Sequence, residues 1–213
     1  MVSVVDADAV PAAPPAWFTA ALAAPVAPRT TIVADVPVAY RAWGEPGGRG
    51  IVLVHGGAAQ ARWWDHIGPL LASDRRVVAI DLSGPGDSGR RPSYSLDRWA
   101  DEVLAVAEDA GIAAPPTVIG HSMGGLVTLR VAALFGSGIE GAVVIDAPFR
   151  EKTPEENAAQ ERRAFTELRV YPSREAILAR FRPVPDQPIA LVAAIRTLLS
   201  DWDHSRPAAP GDA

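Results

Sequence analysis

Apolar and polar positions along the chain follow two alternating periods. From Thr30 to Trp43 the residues alternate around Asp35, with Val38, Tyr40 and Ala42 on one face, which predicts a hairpin of two short strands. The segments "GIVLVHGG", "RRVVAIDLSGPGDSG", "PPTVIGHS" and "EGAVVIDAP" each carry an unbroken apolar run. Such runs suit parallel strands covered on both faces, so four buried strands are expected. Between the second and third of them, "SLDRWADEVLAVAEDAG" places apolar residues at 96, 99, 103, 107 and 110. Ser95 is its N-cap and Gly111 its terminator, which predicts a helix. The pattern "ARWWDHIGPLLAS" is interrupted by Gly68-Pro69 and predicts a broken helix. Strand, helix and strand in turn predict a mainly parallel α/β sheet with right-handed crossovers.

The flanks read differently. Residues 1–28 are rich in Ala and Pro, with prolines at 11, 14, 15, 25 and 28, and read as a loose leader before a core over 29–150. After Phe149 the pattern turns helical. "TPEENAAQERRAFTEL" opens with Thr153, Pro154 and Glu156 arranged as a capping box, and two further helical patterns carry the segment 151–202. Residues 203–213 read as a disordered tail.

Composition narrows the chemistry. With 213 residues, 48% of them hydrophobic, the chain can bury one full core. Its 25 acidic and 20 basic residues give a net charge of −5 without a block of like charge, so no nucleic-acid or membrane partner is expected. No basic leader and no membrane-length apolar run is seen, and a cytoplasmic protein is expected. Cysteine is absent, which removes disulfides, thiolate metal sites and a cysteine nucleophile. No metal-ligand spacing or phosphate-binding glycine loop is present, and no cofactor is expected.

The candidate chemistry lies in "TVIGHSMGGLV". Gly120-His121-Ser122-Met123-Gly124 has the G-x-S-x-G form of a nucleophile elbow, with a predicted strand before the serine and a helix after it. A serine hydroxyl attacks well only if a base takes its proton and aimed donors stabilise the resulting oxyanion. The glycine at 57 and the helix N-terminus at 123 offer such donors.

"HGG" at 55–57, "DLSGPGDSG" at 81–89 and "GHSMGG" at 120–125 together resemble the α/β-hydrolase family, in particular its serine esterases and lipases. The resemblance covers about 30–150, and the segment after Phe149 looks like the start of the helical cap of that family. It implies that Ser122 is the nucleophile and that the N–H groups of Gly57 and Met123 form the oxyanion hole, supported by His55, Gly56, Gly120, His121 and Gly124. It implies a small-molecule acyl substrate, an ester or thioester, and argues against the family branches that need a carboxylate at the elbow.

The family orders its triad as serine, acid, histidine. Of the four histidines, His55 reads as a brace of the oxyanion loop, His121 as directed away from the nucleophile, and His66 as a partly buried helix residue. His204, the only histidine after Ser122, is the remaining candidate base, and Asp146 the candidate acid; the competing reading of Asp146 is a turn-forming residue. Asp81 is expected to bond local backbone N–H groups, and Trp63, Trp64 and Trp99 to pack. No segment after Ser122 reads as the last strands of the fold, so the chain reads as the first two thirds of a capped hydrolase. An alternative is a truncated or non-catalytic binding protein, and an incomplete sheet is expected to favour self-association.

Overall fold

The computed structural model describes residues 14–57 and 59–147, together with Thr153, Glu155 and Ser173. The chain divides into two compact units, one spanning Ala16–Arg150 and one formed by Met1–Pro15 and Glu151–Ala213. The helices expected over 151–202 and the tail over 203–213 lie outside the described residues.

The first unit is a six-stranded sheet of β1 (Ala27–Val33), β2 (Val36–Trp43), β3 (Gly50–Val54), β4 (Arg76–Ile80), β5 (Thr117–His121) and β6 (Gly141–Ile145), in the order β1-β2-β4-β3-β5-β6. β1 and β2 are the predicted hairpin, turning through Ala34 and Asp35 at positive φ. β2 runs antiparallel to β4, and the remaining neighbours are parallel. Apolar side chains fill both faces of β3 and β4, whose residues are all buried. On one face Val52, Val54, Val78, Ile80 and Val118 pack against α3 (Leu96–Asp109) and α4 (Met123–Phe135). On the other, Ile51, Leu53, Val77 and Ala79 meet Trp43 and Trp64.

Local signals are realised as read in α3. The side chain of Ser95 accepts the Arg98 N–H, capping the helix, and Gly111 closes it at φ +78°. Gly68-Pro69 divides the segment before β4 into a 3-10 turn, Ala61–Trp64, and the one-turn α2, Gly68–Leu71. His66 lies in the turn between them, not on a helix.

Two expectations are corrected. Residues 16–28 are not part of a loose leader: α1 (Ala16–Leu22) buries Phe18 and Ala21, and β1 begins at Ala27. Pro14 and Pro15 precede this helix and Pro25 follows it, so the prolines bound the helix and leave its interior intact. β6 is not buried like its neighbours. Val143 and Ile145 are 44% and 42% exposed, because among the described residues only β5 flanks the strand and nothing covers that face.

The loop after β4 is held by a buried ion pair. Glu102 of α3 is fully buried and accepts from Arg91 Nε at 2.8 Å and from the Ser83 N–H at 2.9 Å. Arg91 also donates to the carbonyls of Val33 and Ala34, tying loop, helix and hairpin together. Removing Glu102 strands a buried guanidinium. Glu102→Ala is therefore expected to cost about 3–5 kcal/mol in urea unfolding, whereas Glu140→Ala, which breaks an exposed pair with Arg49, costs about 0–1 kcal/mol. Equal losses would remove the ion pair from this account.

Candidate active site

Ser122 stands at the sharp junction of β5 and α4 with φ +51° and ψ −114°. This is a sparsely populated conformation for a residue with a Cβ, and it costs about 1–3 kcal/mol. The surroundings hold it there. The Ser122 N–H donates to the Ile145 carbonyl of β6 at 2.8 Å, and its own carbonyl accepts from Gly125 at 2.9 Å, opening α4.

Close backbone approach explains the glycines around the serine. A Cβ on Gly120 would overlap the Gly124 carbonyl and the Thr128 hydroxyl. A Cβ on Gly124 would overlap the Val54 carbonyl and lie 2.5 Å from the His55 oxygen. On Gly125 it would lie 2.6 Å from the Ala147 Cβ. The N-terminus of α4 is thereby seated on the end of β3, where the His55-Gly56-Gly57 loop leaves the sheet. An ideal Cβ on Gly56 would be 3.4 Å from the Ser122 Cβ, and one on Gly57 would be 4.0 Å from the Met123 Cβ. Gly56, Gly57, Ser122 and Met123 are thus brought together. The Gly57 N–H makes no backbone hydrogen bond among the described residues, and Met123 begins a helix, where the N–H has no intrahelical carbonyl.

His55 is fully buried and makes hydrogen-bond contacts with the Gly56 carbonyl and the Leu82 N–H. Burial lowers its pKa, against the Gly56 bond and the neighbouring Asp81. The His121 ring stacks on Trp63 with centroids 6.5 Å apart, and its Nδ1 would lie 2.9 Å from a Cβ on Gly56, so it packs on the loop. Trp64 is buried, and Trp99 donates to the Ser83 carbonyl. His66 contacts Phe18 of α1.

Asp81 does more than close its own turn. It accepts the Asp87 N–H at 2.8 Å and also the Ala61 N–H at 2.5 Å, which pins the far end of the loop that starts at His55. Burial pushes its carboxyl pKa up, opposed by these two bonds and by His55. Ala61 is twenty residues away, and only the tertiary fold reveals that contact. Asp146 follows β6 at φ +47°, exposed, one residue beyond the Ile145 that pairs with His121. Its side chain makes no hydrogen bond or ion pair among the described residues. His204 lies outside the described residues. Among those residues no group of three or more His, Asp or Glu side chains could hold a metal ion, and no helix is long and apolar enough to cross a membrane.

A strained serine between a parallel strand and a helix, faced by a glycine loop from the neighbouring strand, defines an α/β hydrolase. Residues 51–173, more than half of the chain, match the sequence profile of the alpha/beta hydrolase fold, and the chain belongs to that family. It is 43% identical over 96 residues to the dihydrolipoyllysine-residue acetyltransferase component of the acetoin cleaving system of Pseudomonas putida, covering 43% of this chain and 26% of the relative. It is 36% identical over 97 residues to the pimeloyl-[acyl-carrier protein] methyl ester esterase of Klebsiella pneumoniae, covering 45% and 35%. The chain thus spans about a quarter to a third of the length of these curated relatives. Among solved structures, the thioesterase domain from the curacin biosynthetic pathway shares the fold with a TM-score of 0.68 at 20% identity, covering 83% of this chain and 67% of that one.

The strain at Ser122 is measurable. Ser122→Gly is expected to be about 1 kcal/mol or more stable than Ser122→Ala in denaturant unfolding, because only glycine occupies this φ, ψ region freely. Equal stabilities would mean that the turn is unstrained. His55 makes a second expectation. Its folded pKa lies below the ordinary 6.5, so the unfolded chain takes up the proton first as pH falls. The stability this histidine supports is present above pH 6.5 and lost below it; His66, shifted the same way, adds to the loss. The fall in melting temperature on acidification should be shallower in His55→Asn than in the wild type, and parallel curves would contradict the assignment.

Proposed function

We propose that the chain carries the nucleophilic half of a serine hydrolase that cleaves an ester or thioester of a small acyl group. Ser122 Oγ bonds to the carbonyl carbon as its proton passes to a base, and the carbonyl oxygen becomes an oxyanion bound by the Gly57 and Met123 N–H groups. Collapse breaks the bond to the alcohol or thiol, which leaves with the proton, and water releases the acid from the acyl-enzyme. No cofactor enters this sequence. The observation that carries the reading is the backbone of Ser122, held at φ +51° with Gly56 against it and Gly57 beside Met123. The esterase from Klebsiella pneumoniae, 36% identical over 97 residues, supports acyl chemistry.

His204 is proposed as the base and Asp146 as the acid, which stands at the end of the strand next to the nucleophile. A second reading is a binding protein that keeps the pocket without turnover. It is favoured by the described histidines: His55 and His121 are committed to the loop and His66 packs on Phe18.

A fluorophosphonate probe tests the proposal, because phosphonylation needs an activated serine and not merely an exposed one. The full chain should be labelled at Ser122, with labelling abolished in Ser122→Ala and strongly reduced in His204→Ala. A folded chain that stays unlabelled supports the binding reading.

A further inference from the structure

The backbone N–H of Met123 is one of the two proposed oxyanion donors, and the side chain of the same residue lies at the same opening. An ideal Cβ on Gly57 would be 4.0 Å from both the Cβ and the Sδ of Met123, and among the described residues it would meet nothing nearer. Gly57 is exposed, and Met123 is half-buried, packed on the core yet still in contact with solvent. The thioether therefore borders an uncrowded space beside Gly57, unlike the Gly56 position, where a Cβ would lie 2.9 Å from the His121 ring.

A thioether in contact with solvent is open to oxidation by peroxides. A sulfur lone pair takes one oxygen of hydrogen peroxide, the O–O bond breaks, and the oxidant leaves as water; sulfur has lost two electrons and the peroxide has gained them. The chain has no cysteine and two methionines, Met1 and Met123, so no thiol competes for the oxidant. Thioether sulfur is a weak hydrogen-bond acceptor, whereas the sulfoxide is polar and its oxygen carries partial negative charge.

The fold limits where that oxygen can turn. Pointing it into the core would bury an acceptor without a donor, which is unfavourable. Shifting the residue is opposed by the first turn of α4, which Gly124 seats on the Val54 and His55 carbonyls. Beside the sulfur stands Gly57, whose N–H makes no backbone hydrogen bond among the described residues. A donor suited to an oxyanion also suits a sulfoxide oxygen.

We propose that Met123 is a reversible oxidation site: its sulfoxide oxygen accepts the Gly57 N–H, takes the place of the substrate carbonyl oxygen and arrests acylation of Ser122. Reduction by a thiol-dependent sulfoxide reductase reverses it, two thiols becoming a disulfide while the oxygen leaves as water. The effect on acylation rests on the hydrolase reading above, whereas the contact between the sulfoxide and Gly57 rests on the fold alone.

The full chain, treated with hydrogen peroxide and mapped by fragmentation mass spectrometry, tests both. Met123 should become the sulfoxide in the folded chain at a rate within about 10-fold of that in urea. A Met123 that stays reduced when folded overturns the proposal. In amide NMR of glycine-labelled protein, the Gly57 N–H should move downfield and exchange more slowly with solvent once Met123 is oxidised, and neither change should follow peroxide treatment of Met123→Leu. An unchanged Gly57 amide overturns the contact. Fluorophosphonate labelling of Ser122 should fall about 10²–10³-fold on oxidation, as for loss of an oxyanion donor. The melting temperature should show the chain still folded, and sulfoxide reductases acting on both epimers should restore labelling. In Met123→Leu, treated and untreated samples should label alike. Labelling that survives complete oxidation of Met123, is lost through unfolding, or does not return on reduction overturns the arrest. A Ser122 that labels under no condition, beside a Gly57 amide that responds to oxidation, overturns the hydrolase reading and leaves the contact standing.

Discussion

The site depends on one contact between backbones: the first turn of α4 lies directly on the carbonyls at the end of β3, with no side chain between them. Gly124 makes this approach feasible, since any Cβ there would meet the Val54 and His55 oxygens. Gly120 permits the matching approach within the elbow, toward the Gly124 carbonyl and Thr128. Two parallel strands, β3 and β5, run side by side with Val54 opposite Gly120, so their C-terminal ends deliver the glycine loop and the serine to one place. The register of the sheet and the absence of two Cβ atoms thus set the geometry before any catalytic side chain is considered.

That geometry carries an energetic cost, which is spread over the surrounding fold. The Ser122 backbone is strained, and its N–H is tied to β6 while its carbonyl starts α4. The opposing loop is tied at His55 and at Ala61 to residues 81 and 82, and the segment beyond them is fastened by the buried Arg91–Glu102 pair. None of these groups is suited to attack a substrate. In the proposed mechanism their common effect is to keep the Gly57 and Met123 donors in place before a charge develops, which is where electrostatic stabilisation is most effective.

Much of this was legible in the sequence where the requirement is local. The elbow at 120–124, the HGG loop at 55–57 and the Ser95 cap are each encoded within a few residues, and the structure places them as read. The β6 run GAVVI has the composition of a central strand, but periodicity does not say how many neighbours a strand has, and Val143 and Ile145 are exposed. The helix at Ala16–Leu22 is hidden in the sequence because dense prolines argue against regular structure, although here they only flank it. The Asp81–Ala61 bond joins residues whose proximity arises from the crossover between β3 and β4, and a triad base distant in sequence is illegible for the same reason.

The central claim is that Ser122 forms a covalent acyl intermediate. It is tested most directly by rapid acid quenching of the full chain mixed with an activated ester, followed by mass spectrometry of the digested protein. The account predicts an acyl group on the peptide carrying Ser122, appearing before steady-state product release and disappearing as ester is exhausted. Steady hydrolysis with the acyl group on another residue, or with none trapped while Ser122→Ala hydrolyses equally well, would contradict it.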